Sequence, residues 1–482
     1  MEQEKIFERL LQIITRYYRD VESGRFVEYL DPGDLQSLLN LDGGQETENW
    51  EQLFSWVENY LAHAVKTSHP GYVNRMWAGA NLPSVIGEMI TAITNTSACT
   101  YETAPVSTLM EKYMLRTMLD LVGFKNGTGQ MTTGSSNANM IAMMAARNKV
   151  NPRIKEGGLF GQPELFGFVN ADAHYSMDRA ANILGLGVEH LIKVPVDDHG
   201  RMSIPALEQR LGEIVAAGHV PFFVAATAGT TVRGSYDPLQ PLLALRDQYG
   251  FWLHVDGAWG GAVLFSDTLR PQYLQDLEQA DSFTLDFHKM LGTALMCNVL
   301  LFNYSPSLLR DVCSAGDESY IFREGPDGDI RDLGTLSLQC GRRVDSLKWF
   351  LDWKFYGKAG LARRIENYLE LCRYAEEQVQ KAEELELVVP RESFNICFRY
   401  RTPADIPVGD FNRDLRDRLH RQGDSLVATG FINGKLILRL LITNINVGKA
   451  EIDTFFEVVR RTGRKLLAER GGREETPTTR AT

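Results

Sequence analysis

The feature that most constrains the fold is an alternation of short apolar runs with longer helical segments between about residues 127 and 302. The apolar runs are rich in β-branched and aromatic residues, which favour strands. These strand candidates are LFGFVNA, HLIKVPV, FFVAAT, FWLHVD, SFTLDF and NVLLF. Strands that alternate with helices in this way predict an α/β domain with a mostly parallel sheet. Ligands of such sheets bind beyond the carboxyl ends of the strands.

Two charged residues follow candidate strands at positions that packing does not explain. Asp256 ends FWLHVD, and Lys289 lies in DFHK just after SFTLDF. A buried carboxylate costs free energy unless it has a cationic or hydrogen-bonding partner. A lysine at a strand end is a natural Schiff-base nucleophile. An acid for a protonated pyridine nitrogen and an amine for an aldehyde are the two parts of a pyridoxal phosphate (PLP) site.

A phosphate site is the next part that PLP needs. Ser135 and Ser136 stand in TTGSSNANM, directly before a candidate helix. The free N–H groups and the positive end of a helix bind phosphate at such a place. The same pattern is typical of an ordinary helix N-cap, so this segment alone does not separate the two interpretations.

Four further residues are candidates for contact with the cofactor. His174 follows a strand and precedes a helix, where it can stack on the ring or simply cap the helix. Ala258 lies two residues after Asp256 and can lie under the ring. Thr231 follows another strand, where its hydroxyl can contact the cofactor or where it can simply be part of a turn. His288, beside Lys289, is either a phosphate ligand and proton-transfer group or a structural histidine.

The rest of the chain predicts three further parts around a large domain at residues 69–357. Residues 1–68 carry apolar residues at helical spacing and predict a helical arm that packs on a partner subunit. Residues 358–468 predict a small α/β domain, and residues 469–482 a disordered tail.

Composition excludes several function classes. The chain has 482 residues and a net charge of -11, which argues against nonspecific nucleic-acid binding. The six cysteines are scattered, without the paired spacing of a zinc site or a disulfide framework. The charged N-terminus lacks a signal core, and no apolar run approaches the length of a membrane span. We therefore expect a cytoplasmic protein with no metal, no membrane and no nucleic-acid partner.

Several segments together resemble the group II PLP-dependent amino-acid decarboxylases, and in particular their glutamate, cysteine-sulfinate and aspartate branch. The matching segments are HPGYVN, NTSACTYETAPVSTLME, the Ser-rich phosphate segment, DAHYSMDRAA, ATAGTTVRGSYDPL, WLHVDGAWGG, DFHKML and QCGRRVDSLKWFLDWKFYG. They run in the family's order from about residue 69 to residue 357. The resemblance implies fold type I, with a seven-stranded, mostly parallel sheet in the large domain, and PLP as cofactor.

The resemblance also implies roles for the cofactor residues. Lys289 is the Schiff-base lysine, Asp256 pairs with the pyridine nitrogen, and His174 stacks on the ring. The phosphate is held by Ser135 and Ser136, and the cofactor is lined by Thr231 and Ala258.

Two more implied roles concern substrate and partner. Arg439, in LILRLLITN, matches the arginine that binds the substrate carboxylate. Tyr320, in the long polar segment SYIFREGPDGDIRDLGT, matches a mobile-loop tyrosine that donates a proton to the substrate carbon. Because that loop reaches the neighbouring subunit's site, a homodimer with active sites at the subunit interface is implied.

The chain departs from the family pattern at three places, and one of them, Gly257 where many relatives have Ala, is a small change beside Asp256. Asp286 and Phe287 replace the usual Asn-Pro before the His-Lys pair, and a carboxylate there would repel the phosphate unless it is neutralised.

Another departure is in the substrate pocket, where this chain has residues that the acidic-substrate branch does not usually have after the His-Pro segment. The pocket candidates in this segment are Asn74, Arg75 and Trp77. An inward Arg75 favours an acidic side chain, and with an outward Arg75 the indole of Trp77 shrinks the pocket toward shorter acids.

These observations predict a carboxy-lyase that converts a small acidic L-amino acid, such as aspartate, cysteine sulfinate or glutamate, to its amine and carbon dioxide. Two alternatives stay open: decarboxylation of aromatic or other amino acids, and a non-catalytic PLP-binding homologue.

Overall fold

The computed structural model describes residues 2–39, 48–323 and 330–471. The chain forms two compact units: the first is built from described residues of 1–79, 371–391 and 395–482, and the second from those of 80–370 and 392–394. Across the described ranges, no helix combines the length and the apolar character that crossing a bilayer requires.

The helices and strands follow in chain order. The helices are α1 (Gln3–Ser23), α2 (Pro32–Leu39), α3 (Trp50–His63), α4 (Leu82–Thr94), α5 (Pro105–Val122), α6 (Ser135–Val150), α7 (Ile154–Gly157), α8 (Ser176–Ile183), α9 (Ile204–Ala216), α10 (Leu239–Tyr249), α11 (Arg270–Tyr273), α12 (Pro306–Cys313), α13 (Asp345–Lys381), α14 (Val408–Gln422) and α15 (Lys449–Gly471). The strands are β1 (Tyr72–Val73), β2 (Thr128–Thr132), β3 (Leu165–Asn170), β4 (Leu191–Val194), β5 (Val220–Thr227), β6 (Trp252–Asp256), β7 (Ser282–Asp286), β8 (Asn298–Phe302), β9 (Leu385–Leu387), β10 (Asn395–Tyr400), β11 (Leu426–Ile432) and β12 (Lys435–Leu441).

The second unit contains a seven-stranded sheet in the order β2-β8-β7-β6-β5-β3-β4. The pairs among β4, β3, β5, β6 and β7 are parallel, and β8 runs antiparallel to both β7 and β2. The predicted α/β fold with a mostly parallel sheet is therefore confirmed. Because β8 alone is reversed, β2, β3, β5, β6 and β7 all end at one edge of the sheet.

Strand β6 is buried along its whole length and lies near the middle of this sheet. Its neighbours are β5 on one side and β7 on the other, with Asp256 level with Thr227 and Thr284. Burial on both sides explains the nearly continuous apolar character of these strands, since parallel sheets are covered by helices on both faces.

The first unit contains a five-stranded sheet in the order β1-β11-β12-β10-β9. The short strand β1 pairs in parallel with β11, and the Phe26 N–H donates to the Gly423 carbonyl. These backbone bonds join the N-terminal arm to the C-terminal sheet in one unit. The sequence placed the arm, at residues 1–68, and the C-terminal domain, at residues 358–468, in separate parts.

Two chain segments also differ from the expected boundaries. Helix α13 continues past residue 357 to Lys381 and bends at Gly357, whose φ of 61° is left-handed. Helix α15 extends to Gly471, into the segment expected to be a disordered tail. The remainder of that tail, residues 472–482, lies outside the described residues.

A buried ion pair joins the two segments TYETAPVSTLME and QCGRRVD within the second unit. The Arg342 guanidinium contacts the Glu111 carboxylate, and both side chains are almost fully buried. Arg342 also donates to the Ala98 carbonyl at 2.7 Å, and Glu111 accepts from the Met131 N–H at 3.3 Å. These bonds fix α5 and β2 to the segment that precedes α13.

We expect Arg342→Met to lower the free energy of unfolding by roughly 3–5 kcal/mol, because the Glu111 charge would remain buried without its cation. The neighbouring Arg343 is a matched control, since its side chain is 57% exposed and its partner Glu88 also has a second cation, Lys348. Arg343→Met should cost less than about 1 kcal/mol. Urea denaturation of both variants measures the difference, and equal losses would contradict this assignment.

Candidate active site

The carboxyl edge of the seven-stranded sheet brings the predicted cofactor residues of the second unit together. Asp256 ends β6, His174 follows β3 and Thr231 follows β5. Lys289 follows β7, and Ser135 begins α6 directly after β2. The electrostatic effects of Asp256, Asp286 and Lys289 on His174 reflect their proximity across this edge.

Asp256 is buried, and neutral groups hold both of its carboxylate oxygens. The Asn139 side-chain amide donates to Oδ2 at 2.9 Å, and the Ala258 N–H donates to Oδ1 at 3.1 Å. Neutral donors orient a carboxylate without cancelling its charge, so the group suits a cationic ligand.

The residues behind Asp256 form a hydrogen-bonded chain that sequence reasoning missed. His254 Nε2 lies 3.0 Å from Asn139 Oδ1, and His254 Nδ1 lies 2.8 Å from Ser282 Oγ. The Trp252 indole N–H donates to the same hydroxyl at 2.8 Å. Burial lowers the pKa of His254 to about 4, against the opposite effect of Asp256. The alternation of Trp252, His254 and Asp256 along one strand is the signal that could have revealed it.

Asp286, the unexpected carboxylate, forms an ion pair with the lysine. Its Oδ2 lies 3.0 Å from Lys289 Nζ, and its Oδ1 accepts from Asn298 Nδ2 at 2.7 Å. Burial acts to raise the pKa of Asp286, but the nearby Lys289 and His288 and these hydrogen bonds outweigh it and lower the pKa. The charge is thus neutralised by Lys289.

The start of α6 forms the predicted phosphate segment. Its N-cap is Gly134, with a φ of 110° and no side-chain capping bond. This positive φ favours glycine, and a Cβ here would also displace Met296 Cε, which would lie 2.5 Å away. The Ser135 N–H donates to Asp286 Oδ1 at 3.1 Å, whereas Ser136 is exposed at the surface. The pattern of an ordinary side-chain N-cap is therefore absent from this described helix.

The remaining cofactor candidates occupy different surroundings. His174 is half-buried and accepts from the Ser176 N–H at 3.3 Å, and burial lowers its pKa. His288 is buried, with Nδ1 against the backbone of Cys297 at 2.8 Å from its carbonyl oxygen. This contact matches the structural interpretation of His288, while Thr231 stays half-buried at the sheet edge.

The predicted substrate residues lie in the first unit, apart from Tyr320. Arg439 is buried and donates to the Asn74 carbonyl at 3.1 Å. Arg75 is exposed, and Trp77 packs on Tyr72 with ring centroids 5.8 Å apart. Burial, and to a smaller extent the nearby charge of Arg75, lower the pKa of Arg439 to about 10.

Tyr320 belongs to the second unit and is 87% exposed. It lies shortly before residues 324–329 of the expected loop, which are outside the described residues.

The chemical groups at the carboxyl edge of the sheet in the second unit fit those that PLP needs. The buried carboxylate of Asp256 suits a pyridinium, and Lys289 supplies an amine for the aldehyde. The helix start at Gly134 admits a close approach of an anion to the backbone. Among the described residues, no cluster of three His, Cys, Asp or Glu side chains could hold a metal ion instead.

The low pKa of His254 predicts a pH dependence of stability. The unfolded imidazole binds a proton near pH 6.5, whereas the folded one does so only near pH 4. The contribution of His254 to the free energy of unfolding is therefore fully present above pH 6.5 and is lost as the pH is lowered from 6.5 toward 4. Between pH 7 and pH 5 the loss is about 2 kcal/mol.

His254→Gln should remove this part of the pH dependence, as measured by urea denaturation at pH 7 and pH 5. A His254→Gln slope equal to that of the unsubstituted protein would contradict the assignment.

Comparisons with known proteins agree with this site. The model of the "Pyridoxal-dependent decarboxylase conserved domain" matches residues 32–401. Human cysteine sulfinic acid decarboxylase is 35% identical over 92% of this chain and 92% of its own length. The bovine acidic amino acid decarboxylase GADL1 is 38% identical over 78% of this chain and 72% of its own.

The crystal structure of mouse CSAD in apo form superposes with a TM-score of 0.91 at 33% identity, covering 95% of this chain and 98% of the other. The resemblance seen in the sequence motifs is thereby confirmed, and with it PLP as the cofactor of an amino-acid decarboxylase. On the combined strength of sequence, fold and site, the chain belongs to the pyridoxal-dependent decarboxylase family.

Proposed function

We propose that the enzyme decarboxylates a small acidic L-amino acid, such as cysteine sulfinate, aspartate or glutamate, to its amine and carbon dioxide. The observation that carries the choice of an acidic substrate is the pair of cations Arg75 and Arg439 in the first unit. Similarity to relatives named for cysteine sulfinic acid and for acidic amino acids supports the same choice.

The cationic pair favours an anionic ligand for a physical reason. Burial and the charge of Arg75 both disfavour the charged form of Arg439. A guanidinium in such surroundings gains more from a bound carboxylate than one in water does. An amino acid with a second acidic group can engage both arginines, whereas a neutral amino acid offers one carboxylate.

PLP, when bound, supplies an aldehyde that takes up the substrate amine and a ring that accepts the electron pair left by carbon dioxide. In our proposal Lys289 would hold the cofactor through its side-chain amine. Asp286, 3.0 Å from that amine, would balance the charge of the lysine when it is an ammonium. Asp256 holds the pyridine nitrogen in its protonated form.

The surroundings of the ring complete the proposed site. His174 stacks on one face, and Ala258 and Thr231 line the cofactor. Ser135 and Ser136 bind the phosphate at the start of α6. Asn74 and Trp77 shape the substrate pocket together with the arginines.

We further propose a cytoplasmic homodimer in which Tyr320 of one subunit donates a proton to the substrate carbon in the other. Support comes from exposed apolar side chains along one side of α4, where a partner would bury them. These are Leu82, Ile86, Met89, Ile90 and Ile93. The high exposure of Tyr320 supports a role outside its own subunit's core.

Substrate choice is tested by carbon dioxide release from a panel of amino acids. We expect the highest kcat/KM with acidic amino acids, and release only from aromatic ones would contradict the proposal. Arg75→Gln should lower kcat/KM for the acidic substrate roughly 10- to 150-fold, the effect of one lost hydrogen bond to a charged group. Neutral amino acids should be unaffected, and Arg413→Gln, at an exposed ion pair, is the control.

The exchange of Tyr320 between subunits is tested with two inactive parents, Lys289→Ala and Tyr320→Phe. When both are coexpressed with different tags, each isolated heterodimer contains one intact site. We expect it to form amine at roughly half the rate of the unsubstituted dimer. A heterodimer as inactive as its parents would show that Tyr320 does not act across the interface, and an active Lys289→Ala enzyme would rule out the role of Lys289.

A further inference from the structure

The hydrogen-bonded chain behind Asp256 has a defined direction. The Trp252 indole N–H can only donate, so the Ser282 hydroxyl accepts from it at 2.8 Å. This hydroxyl keeps one hydrogen and a second lone pair, so toward His254 Nδ1, at 2.8 Å, it could donate or accept. The Asp256 carboxylate can only accept, so the Asn139 amide nitrogen faces it and the amide oxygen faces His254 Nε2. The single proton of the neutral imidazole therefore resides on Nε2, and Nδ1 accepts from the Ser282 hydroxyl.

The Asn139 amide links the hydrogen-bonded chain to the Asp256 carboxylate. His254 Nε2–H donates to Asn139 Oδ1 at 3.0 Å, so the amide nitrogen points the opposite way. It donates to Asp256 Oδ2 at 2.9 Å and to Ser176 Oγ at 3.0 Å. A reversed amide would set its oxygen against the carboxylate, and two acceptors repel each other.

Burial makes this arrangement rigid. The side chains of Asn139, His254 and Ser282 are fully buried, and those of Trp252 and Asp256 nearly so. Trp252, His254 and Asp256 alternate along β6 and share one face of it. Ser282 is level with His254 on the adjacent strand β7. Water therefore has little access to replace a lost hydrogen bond.

We propose that Trp252, Ser282 and His254 are positioning residues of the cofactor site, which hold the Asn139 amide so that it donates to Asp256 and keeps this carboxylate in place. The proposal rests on the proposed role of Asp256 at the pyridine nitrogen. It adds that the strength of this contact is set by residues that do not touch the cofactor.

The test compares two nearly isosteric variants, His254→Gln and His254→Met. The glutamine amide can donate to Asn139 in place of Nε2–H, and the methionine cannot. The dissociation constants of PLP, and of an analogue whose ring nitrogen is replaced by C–H, are measured by fluorescence quenching of each apoprotein. The ratio of the two constants reports only the contact with the ring nitrogen.

We expect His254→Met to weaken PLP binding about tenfold, as for one lost buried hydrogen bond, while binding of the analogue stays unchanged. His254→Gln should restore most of the preference for PLP. Ser282→Ala is a smaller change that keeps the proposal testable if the methionine variant does not fold, and it should reduce the preference in the same direction.

The proposal would be overturned if His254→Met or Ser282→Ala weakens the binding of PLP and of the analogue equally. It would also be overturned if either variant keeps the full preference for PLP over the analogue. Asp256→Asn separates this failure from that of the proposed function. If the unsubstituted protein shows no preference for PLP, or if Asp256→Asn keeps it, Asp256 does not contact the ring nitrogen and both proposals fail. If Asp256→Asn alone loses the preference, only the positioning chain is wrong.

Discussion

The site depends on how two buried carboxylates at adjacent strand ends are stabilised. Asp256 and Asp286 end β6 and β7, and each would be costly without partners. Asp286 has a cation, Lys289, at 3.0 Å, whereas Asp256 has the neutral donors Asn139 and Ala258. One carboxylate is therefore neutralised within the chain, and the other keeps a charge that a pyridinium can use. The same residue type thus serves two purposes at one edge of the sheet.

The architecture could be predicted from the sequence because short hydrophobic runs indicate buried strands. Strands β3 to β8 were all expected, since each contains a short run rich in apolar, β-branched or aromatic residues. Strand β2, with the sequence TGQMT, was missed because its polar residues are satisfied inside the sheet by partners such as Asn298, which are far away in sequence. The short β1 was missed for a related reason: its pairing with β11 depends on a segment more than three hundred residues away.

The candidate site could be predicted from the sequence only in part. Lys289 and Asp256 stand out as charges after apolar runs, whereas His254 and Asn139 look like ordinary interior residues until their distances are known. Asp286 could not be interpreted from its position in the chain, because the neutralising contacts depend on side-chain geometry. The ion pair of Arg342 with Glu111 could not be predicted from the sequence either, although both residues lie in segments that resemble the family.

The ion pair between Asp286 and Lys289 also bears on the order of assembly. With this pair formed and the Ser135 N–H bound to Asp286, the charges of these groups are balanced by the protein's own side chains and backbone. A chain with such a site can complete its fold before it meets its cofactor, and the cofactor then replaces contacts rather than creating order. The fraction of the folded chain that carries cofactor then depends on the free cofactor concentration relative to its dissociation constant.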